Sequence, residues 1–226
     1  MEIRSFTVGL FQANAFLITD EATGASAIVD TGEGDELARR LSELSPAPDI
    51  KMILLTHGHI DHAGGLHFVQ QKWDVPTYLC GAERPIFDTM PMQGTMFGMS
   101  AINQPCGRID HEVDDGFEVA LGETTLKFLA TPGHTPGQGC WYDDADILVG
   151  DTLFAGSIGR TDFPLSDPSA MRTSLTRLME LPLHLRVHSG HGAVTTLQQE
   201  LECNPFLGFV RKSKGMADAR GFSLDW

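Results

Sequence analysis

The sequence is short of positive charge. Its 226 residues include 16 Lys and Arg but 30 Asp and Glu, which leaves a formal net charge of −14. A field of this sign repels nucleic-acid phosphates and offers no cationic face to an anionic membrane. We therefore expect neither nucleic acid nor membrane as a partner.

Paired cysteines and long apolar runs are also missing. The four cysteines stand far apart with no C-x-x-C pair, at Cys80, Cys106, Cys140 and Cys203. No apolar segment approaches the length of a membrane span. The first residues show no basic stretch followed by an apolar run. These absences predict reduced thiols, no signal peptide and a cytoplasmic location.

The length and the apolar patterns predict a layered α/β fold formed as a single domain over residues 1–226. Short apolar or alternating runs predict strands at Ile3–Val8, Ala15–Thr19, Ser26–Val29, Lys51–Leu55, Thr77–Cys80, Gly116–Val119, Thr125–Ala130, Gly139–Tyr142, Ile147–Val149 and Leu185–His188. Helical spacing predicts helices at Asp35–Leu44, Leu66–Trp73, Ser169–Met179 and Leu197–Cys203.

Residues 83–107 are rich in methionine and proline and favour an irregular chain. Their methionines are Met90, Met92, Met96 and Met99. Because a flexible thioether side chain fills irregular gaps in a core, we expect all four to be core filler.

The strongest motif is Thr-His-Gly-His-Ile-Asp-His-Ala-Gly-Gly at residues 56–65, directly after a predicted strand. Residues two apart in an extended chain point the same way, so His57, His59 and Asp61 are expected to converge. With His62 they make four N and O ligands within six positions. That is more than one tetrahedral ion needs from one segment, which predicts two adjacent metal ions. A chance cluster of surface histidines is the disfavoured alternative.

Three further segments place a metal-binding side chain just beyond a predicted strand. They are Thr-Pro-Gly-His-Thr-Pro-Gly around His134, Gly-Asp-Thr-Leu-Phe around Asp151, and Gly-His-Gly around His191. A lone His or Asp at a strand end is usually a turn residue or a cap. Together, however, they occupy the positions where sheet proteins place ligands. The remaining histidines, His67, His111, His184 and His188, are expected outside the site.

These four motifs, in this order and spacing, resemble the metallo-β-lactamase superfamily from about Phe11 to Pro205. The resemblance implies a four-layered αββα sandwich with a dinuclear metal site at one edge of its two sheets. It also implies the ligand sets: His57, His59 and His134 for one ion, Asp61, His62 and His191 for the other, and Asp151 as the bridge.

Within the superfamily the chain resembles a short form of the glyoxalase II branch, the hydroxyacylglutathione hydrolases. Asp151 stands where β-lactamases often carry Cys or Ser, and His59 where flavodiiron proteins carry Glu. This branch implies cleavage of a thioester such as S-lactoylglutathione by a metal-bound hydroxide, since two ions lower the pKa of a bound water to about 7. Zinc is the first expectation for both ions, with iron or manganese as alternatives.

Catalytic and supporting roles follow from the chemistry of such a centre. Asp61 is expected to orient the hydroxide and Asp151 to hold the two ions together. Thr56 and Asp162 are the candidates for holding the outer N–H groups of the imidazoles.

Substrate binding is assigned to Arg160, which falls where the family has a basic residue near the glutathione. An ion pair with Asp162 is the alternative for this arginine. Residues 192–226 are too few for the helical glutathione-binding domain of glyoxalase II. Basic residues near the end could replace it, although a solvated tail is the simpler interpretation; they are Arg211, Lys212 and Lys214.

Three alternatives stay open. Residues 159–163 also resemble persulfide dioxygenases, which hold one iron at the positions of His57, His134 and Asp151. Two residues count against this alternative. His191 completes a second metal site, and those enzymes often have Cys in place of Ile158. A lactonase of acyl-homoserine lactones would share the full ligand set. A non-enzymatic metal-binding protein is disfavoured, because a structural site is normally closed by four ligands to one ion.

Overall fold

Two six-stranded sheets form the centre of the computed structural model, which describes residues 1–98 and 106–216. The first sheet contains, in spatial order, β1 Glu2–Val8, β2 Ala13–Thr19, β3 Ala25–Val29, β4 Asp49–Leu54, β5 Thr77–Cys80 and β6 His111–Val113. Strands β1 to β3 pair antiparallel, whereas β3 to β6 pair parallel.

The second sheet is built from the other half of the chain. Its strands are β7 Glu118–Leu121, β8 Thr124–Ala130, β9 Gly139–Tyr142, β10 Asp146–Gly150, β13 Arg186–Ser189 and β14 Thr195–Thr196, in the spatial order β14-β13-β10-β9-β8-β7. A separate small hairpin pairs β11 Leu153–Phe154 with β12 Ser157–Ile158.

Helices cover the outer faces of both sheets. The described helices are α1 Glu36–Ser42, α2 Ile60–Ala63, α3 Leu66–Gln70, α4 Arg84–Phe87, α5 Met90–Met96, α6 Pro168–Leu178, α7 Leu197–Cys203 and α8 Gly208–Ser213. None of them is long and apolar enough to cross a lipid bilayer. All four cysteines are free thiols, as predicted.

Three clusters of buried side chains hold the layers together. Val29 and Trp141 belong to the cluster between the two sheets. Ile28 is adjacent in sequence but points to the opposite face, since successive strand residues alternate, and it packs with Leu37 of α1. The outer face of the second sheet packs on α6 through residues such as Leu175. The predicted αββα sandwich is confirmed.

Every predicted strand and helix is present, three of them with the predicted bounds and the others with shifted ends, but the prediction for residues 83–107 is partly wrong. This segment contains α4 and α5, and a proline stands in the first turn of each helix. Proline suits that position, because its fixed φ is helical and the N–H that it lacks would have no helical partner there.

The methionines of this segment also differ from the expectation. Met90 is buried as core, whereas Met92 is 59% exposed and Met96 is 77% exposed. The prediction of core filler is therefore wrong for these two, because α5 turns them away from the sheet. Met99 lies outside the described residues.

Candidate metal centre

Three strands of the second sheet end at the same edge. Strand β13 pairs parallel with β10, and β8 runs the same way because β9 is antiparallel to both β8 and β10. The residues that follow these strands carry His134, Asp151 and His191. Strand β4 of the first sheet ends beside them, where the backbone N–H of Gly139 donates to the Thr56 carbonyl at 3.0 Å.

The loop after β4 supplies four of the seven candidate ligands. His57 and His59 lie before the helix, and His59 has extended dihedral angles. The expectation of an extended chain is wrong for Asp61, which lies with His62 in the one-turn helix α2. Asp61 still converges with the histidines because this turn folds the chain back toward the sheet edge.

All seven predicted ligands come together. Three groups have ligand atoms within 4.8 Å of one another: His57, His59 and His134; His57, His62 and Asp151; and Asp61, His62 and His191. The first and third groups contain the same residues as the two ligand sets predicted from the resemblance. Coordination itself stays a prediction.

Asp151 lies between these groups. One carboxylate oxygen, Oδ1, is 3.3 Å from Nε2 of His62. The other, Oδ2, is 3.6 Å from Nε2 of His134 and 3.7 Å from Nε2 of His191. A Cβ at Gly190 would collide with this carboxylate, which explains the glycine before His191.

The donor atoms suit divalent cations. Nε2 of His57 is buried and has no hydrogen-bond partner among the described residues, and the buried Nε2 of His62 and Oδ1 of Asp151 have only each other at 3.3 Å, without good hydrogen-bond geometry. A buried polar atom without a good partner is costly, so three at one place indicate a position where a ligand binds. Mixed imidazole and carboxylate donors fit Zn, Fe or Mn. The residues present therefore fit a metal centre.

The pKa shifts of His57, His59 and Asp61 agree with this assignment, whereas the carboxylates of Asp61 and Asp151 outweigh burial and raise the pKa of His62 and His191. Burial, with repulsion from neighbouring imidazoles, lowers the pKa of His57 well below its usual value, and burial lowers that of His59 to about 4. Burial opposes ionisation of Asp61, but His62 and His191 outweigh it and hold the pKa of Asp61 below its usual range. Neutral imidazoles and ionised carboxylates are the forms that bind cations.

A second set of contacts orients the ligands. The Thr56 hydroxyl lies 3.1 Å from Nδ1 of His57, which confirms one predicted supporting residue. The prediction that Asp162 also supports an imidazole is wrong, because its carboxylate pairs with the Arg160 guanidinium. The Arg160 carbonyl lies 2.8 Å from Nδ1 of His134, and Asp30 Oδ2 lies 2.9 Å from Nδ1 of His62.

Glu83 holds two ligand loops at once. Its buried carboxylate accepts the backbone N–H of Gly58 at 2.7 Å and that of Gly137 at 2.6 Å. Gly58 separates His57 from His59, and Gly137 lies three residues after His134. Burial raises the pKa of Glu83. Glu83 was not among the predicted site residues, because it falls in the segment expected to be irregular.

The basic candidates have different roles. The Arg160 side chain is mostly exposed, forms a 2.8 Å ion pair with Asp162, and also lines the cavity described next. Arg211 is buried and donates to the carbonyls of Leu201 and Asn204. The solvated-tail interpretation is therefore wrong for Arg211, which fastens α8 to the end of α7.

A cavity of about 600 Å³ opens over the site. His59, Asp61, His134 and Asp151 form part of its lining, so the centre is accessible from the cavity. Apolar side chains make up most of the remaining wall. A cavity of this size accommodates a small organic substrate.

The fold and the site together define a class of protein, the metal-dependent hydrolases that hold divalent ions with His and Asp side chains at the edge of an αββα sandwich. The chain belongs to the metallo-beta-lactamase superfamily, whose family model matches residues 8–191.

Relatives and solved structures support the assignment. The probable metallo-hydrolase YqgX of Bacillus subtilis (strain 168) is 39% identical over 214 residues, covering 92% of this chain and 98% of that protein. Hydroxyacylglutathione hydrolase GloC of Haemophilus influenzae is 35% identical over 213 residues, covering 92% and 98%. The crystal structure of TTHA1623 in a di-iron-bound form is 33% identical with a TM-score of 0.80, covering 90% of this chain and all of that one.

Proposed function

We propose that this protein hydrolyses thioesters, S-lactoylglutathione being the first substrate to test, with two divalent ions at the centre. The observation that carries the proposal is the position of Asp151 between two groups of ligand atoms. The name of the similar hydroxyacylglutathione hydrolase supports the choice of a thioester.

The proposed ligand sets follow the two groups. His57, His59 and His134 would hold one ion and Asp61, His62 and His191 the other, with Asp151 shared. Divalent ions at this place would activate water and polarise a carbonyl oxygen. Zinc is proposed for both ions, and the di-iron form of the similar TTHA1623 makes iron the alternative.

The protein's own side chains would position the reactants. Asp61 faces the cavity with a lowered pKa and therefore stays ionised, so it can accept a hydrogen bond from the attacking water and orient it. The buried Asp151 adds the negative charge that keeps two cations close together. A thiolate leaves readily, so no separate acid residue is required for this step.

Hydrolysis assays with metal content measured on the same preparation test the proposal. We expect S-lactoylglutathione or simpler thioesters to be cleaved faster than lactones. His57→Ala and Asp151→Ala should lose metal and turnover, because each removes a donor from the buried group. His184→Ala is the matched control, since His184 is exposed, lies outside the three groups of ligand atoms and hydrogen-bonds to the Asp144 carbonyl.

Two results would contradict the proposal. One is a single iron per chain with rapid oxygen uptake on glutathione persulfide, which would indicate a dioxygenase. The other is full turnover in His57→Ala and Asp151→Ala, which would place the chemistry elsewhere.

A further inference from the structure

Exposed apolar side chains are concentrated around the cavity. Nine large hydrophobic residues are exposed in the described part of the chain, and six of them line it: Phe11, Met92, Met96, Phe97, Phe163 and Leu165. Single exposed apolar residues are ordinary, but a contiguous group marks a binding surface.

Three separate segments build this apolar wall. The turn between β1 and β2 contributes Phe11, α5 and the residue after it contribute Met92, Met96 and Phe97, and the loop before α6 contributes the other two. The rings of Phe11 and Phe97 meet edge to face with centroids 5.1 Å apart. The wall is therefore assembled across the fold and faces the metal centre.

The uncharged polar side chains of the wall are turned toward the protein. Gln93 accepts the backbone N–H of Ile60 and donates to the Ile86 carbonyl, both at 3.0 Å. The Thr89 hydroxyl donates to the same carbonyl at 2.8 Å. Their hydrogen-bonding groups are already engaged, so they offer little to the peptide groups of glutathione.

The positive charge that Arg160 brings to the cavity lining is already paired with a carboxylate. The Arg160 guanidinium pairs with Asp162 and lies over the Phe163 ring, 4.3 Å from its centroid. An ion pair of this kind reduces the attraction for the carboxylates of a glutathione conjugate. The wall favours apolar surface over a charged peptide.

We propose that the site takes thioesters with an apolar body, such as a medium-length alkyl chain or an aryl group, in preference to S-lactoylglutathione. This inference rests on the proposed thioester hydrolysis. In that reaction water oxygen bonds to the carbonyl carbon, the C–S bond breaks, and the products are a carboxylic acid and a thiol, with no oxidant needed. The apolar body belongs to either the acyl or the thiol side.

Two substrate series separate the acyl side from the thiol side. One varies the acyl group of N-acetylcysteamine thioesters from acetyl to octanoyl; the other varies the thiol of acetyl thioesters from ethanethiol to hexanethiol. In one series we expect kcat/KM to rise about two- to four-fold per added methylene, the upper figure corresponding to about 0.8 kcal/mol per buried CH2. Flat values in both series would overturn the inference.

Binding of uncleavable analogues gives a readout that does not depend on activity. Calorimetry should show the S-octyl thioether of N-acetylcysteamine binding at least ten-fold more tightly than the S-ethyl thioether. If the octyl thioether bound in this way but no thioester were cleaved, the proposed function would fail while the apolar preference of the cavity would stand. Equal binding of the two thioethers would overturn the preference.

A matched pair of variants places the effect at the wall. Met96→Lys should lower kcat/KM for the longest favoured substrate at least ten-fold more than for the acetyl thioester of N-acetylcysteamine, whereas Met216→Lys should leave both values as in the wild type. The control is Met216→Lys, because Met216 lies outside the cavity lining. Met96 and Met216 are both exposed, so folding should tolerate a lysine at either position. Equal chain-length dependence in the two variants would contradict the proposal.

Discussion

The Glu83 carboxylate accepts a hydrogen bond from the backbone N–H of Gly58 at 2.7 Å, at the residue that separates His57 from His59. Its other oxygen accepts from Gly137 at the end of the His134 loop. One buried side chain therefore fixes two ligand loops that come from different sheets. Asp30, which is also outside the candidate ligand set, contacts the ligand His62.

Glu83→Gln is expected to destabilise the protein and weaken metal binding. The amide keeps the size of the side chain, but its NH2 group would face one of the two backbone N–H groups. We expect the free energy of unfolding to fall by about 1.5–3 kcal/mol, measured by chemical denaturation. Glu112→Gln on the surface is the control, and equal stability and metal content in the two variants would contradict the role of Glu83.

Asp30→Asn is expected to weaken metal binding roughly ten- to hundred-fold. Oδ1 of Asp30 accepts from the Thr56 backbone N–H, and Oδ2 accepts from the Thr56 hydroxyl and lies beside Nδ1 of His62. The NH2 group of an asparagine would therefore either face the Thr56 N–H or replace the oxygen that contacts His62. Asp30 has a φ of +57°, which asparagine tolerates, so the change adds no backbone strain. Competition with a chelator measures the effect, and the exposed Asp35→Asn should show none.

Asp162→Asn is expected to lower the KM for S-lactoylglutathione, whereas Arg160→Gln should raise it. Removing the Asp162 carboxylate frees the guanidinium to attract the substrate's carboxylates. Each effect should be at most about five-fold, because solvent screens an exposed ion pair. A neutral N-acetylcysteamine thioester should respond to neither change, and an unchanged KM for the glutathione thioester would remove Arg160 from substrate binding.

We expect the protein to lose the stabilising contribution of the Asp20 carboxylate in acid. Its carboxylate accepts from the hydroxyls of Thr23 and Thr124 and from the Thr23 backbone N–H, and these bonds hold its pKa below the usual range. Because the folded pKa is lower than the unfolded one, the contribution is complete above the unfolded pKa of about 3.9 and is lost as the pH falls through the folded pKa.

Urea denaturation between pH 6 and pH 3 measures this contribution. The stability advantage of the wild type over Asp20→Asn should be largest at pH 6 and should shrink below about pH 4. The exposed Asp144→Asn serves as control. An advantage of Asp20 that grew in acid would contradict the assignment.

The convergence of the seven candidate ligands could be predicted from the sequence because its signals are local. Each candidate ligand follows a short apolar strand within a few residues, and strands that run the same way bring such positions to one sheet edge. The helix start at Asp167 is equally local, since its side chain accepts from the N–H groups of Ser169 and Ala170.

The supporting contacts could not be predicted because they join distant segments. Glu83 lies 54 residues from Gly137, and Asp30 lies 32 residues from His62. Nothing near Glu83 in the sequence distinguishes it from a surface carboxylate. Asp30 follows a predicted strand as the candidate ligands do, but the segment Asp30-Thr31-Gly32 is also an ordinary turn signal.

The exposed methionines show a different limit. Composition could not decide whether Met92 and Met96 face a core or a cavity, because an apolar side chain fits either place. That choice depends on the direction in which α5 leaves the sheet, which is a property of the whole fold.

The number of metal ions per chain, in the wild type and in His191→Ala, tests the central claim most directly. His191 contributes to only one of the three groups of ligand atoms. Elemental analysis of the purified proteins should therefore give two ions for the wild type and one for the variant. One ion in the wild type, or two in both proteins, would contradict the two-ion centre.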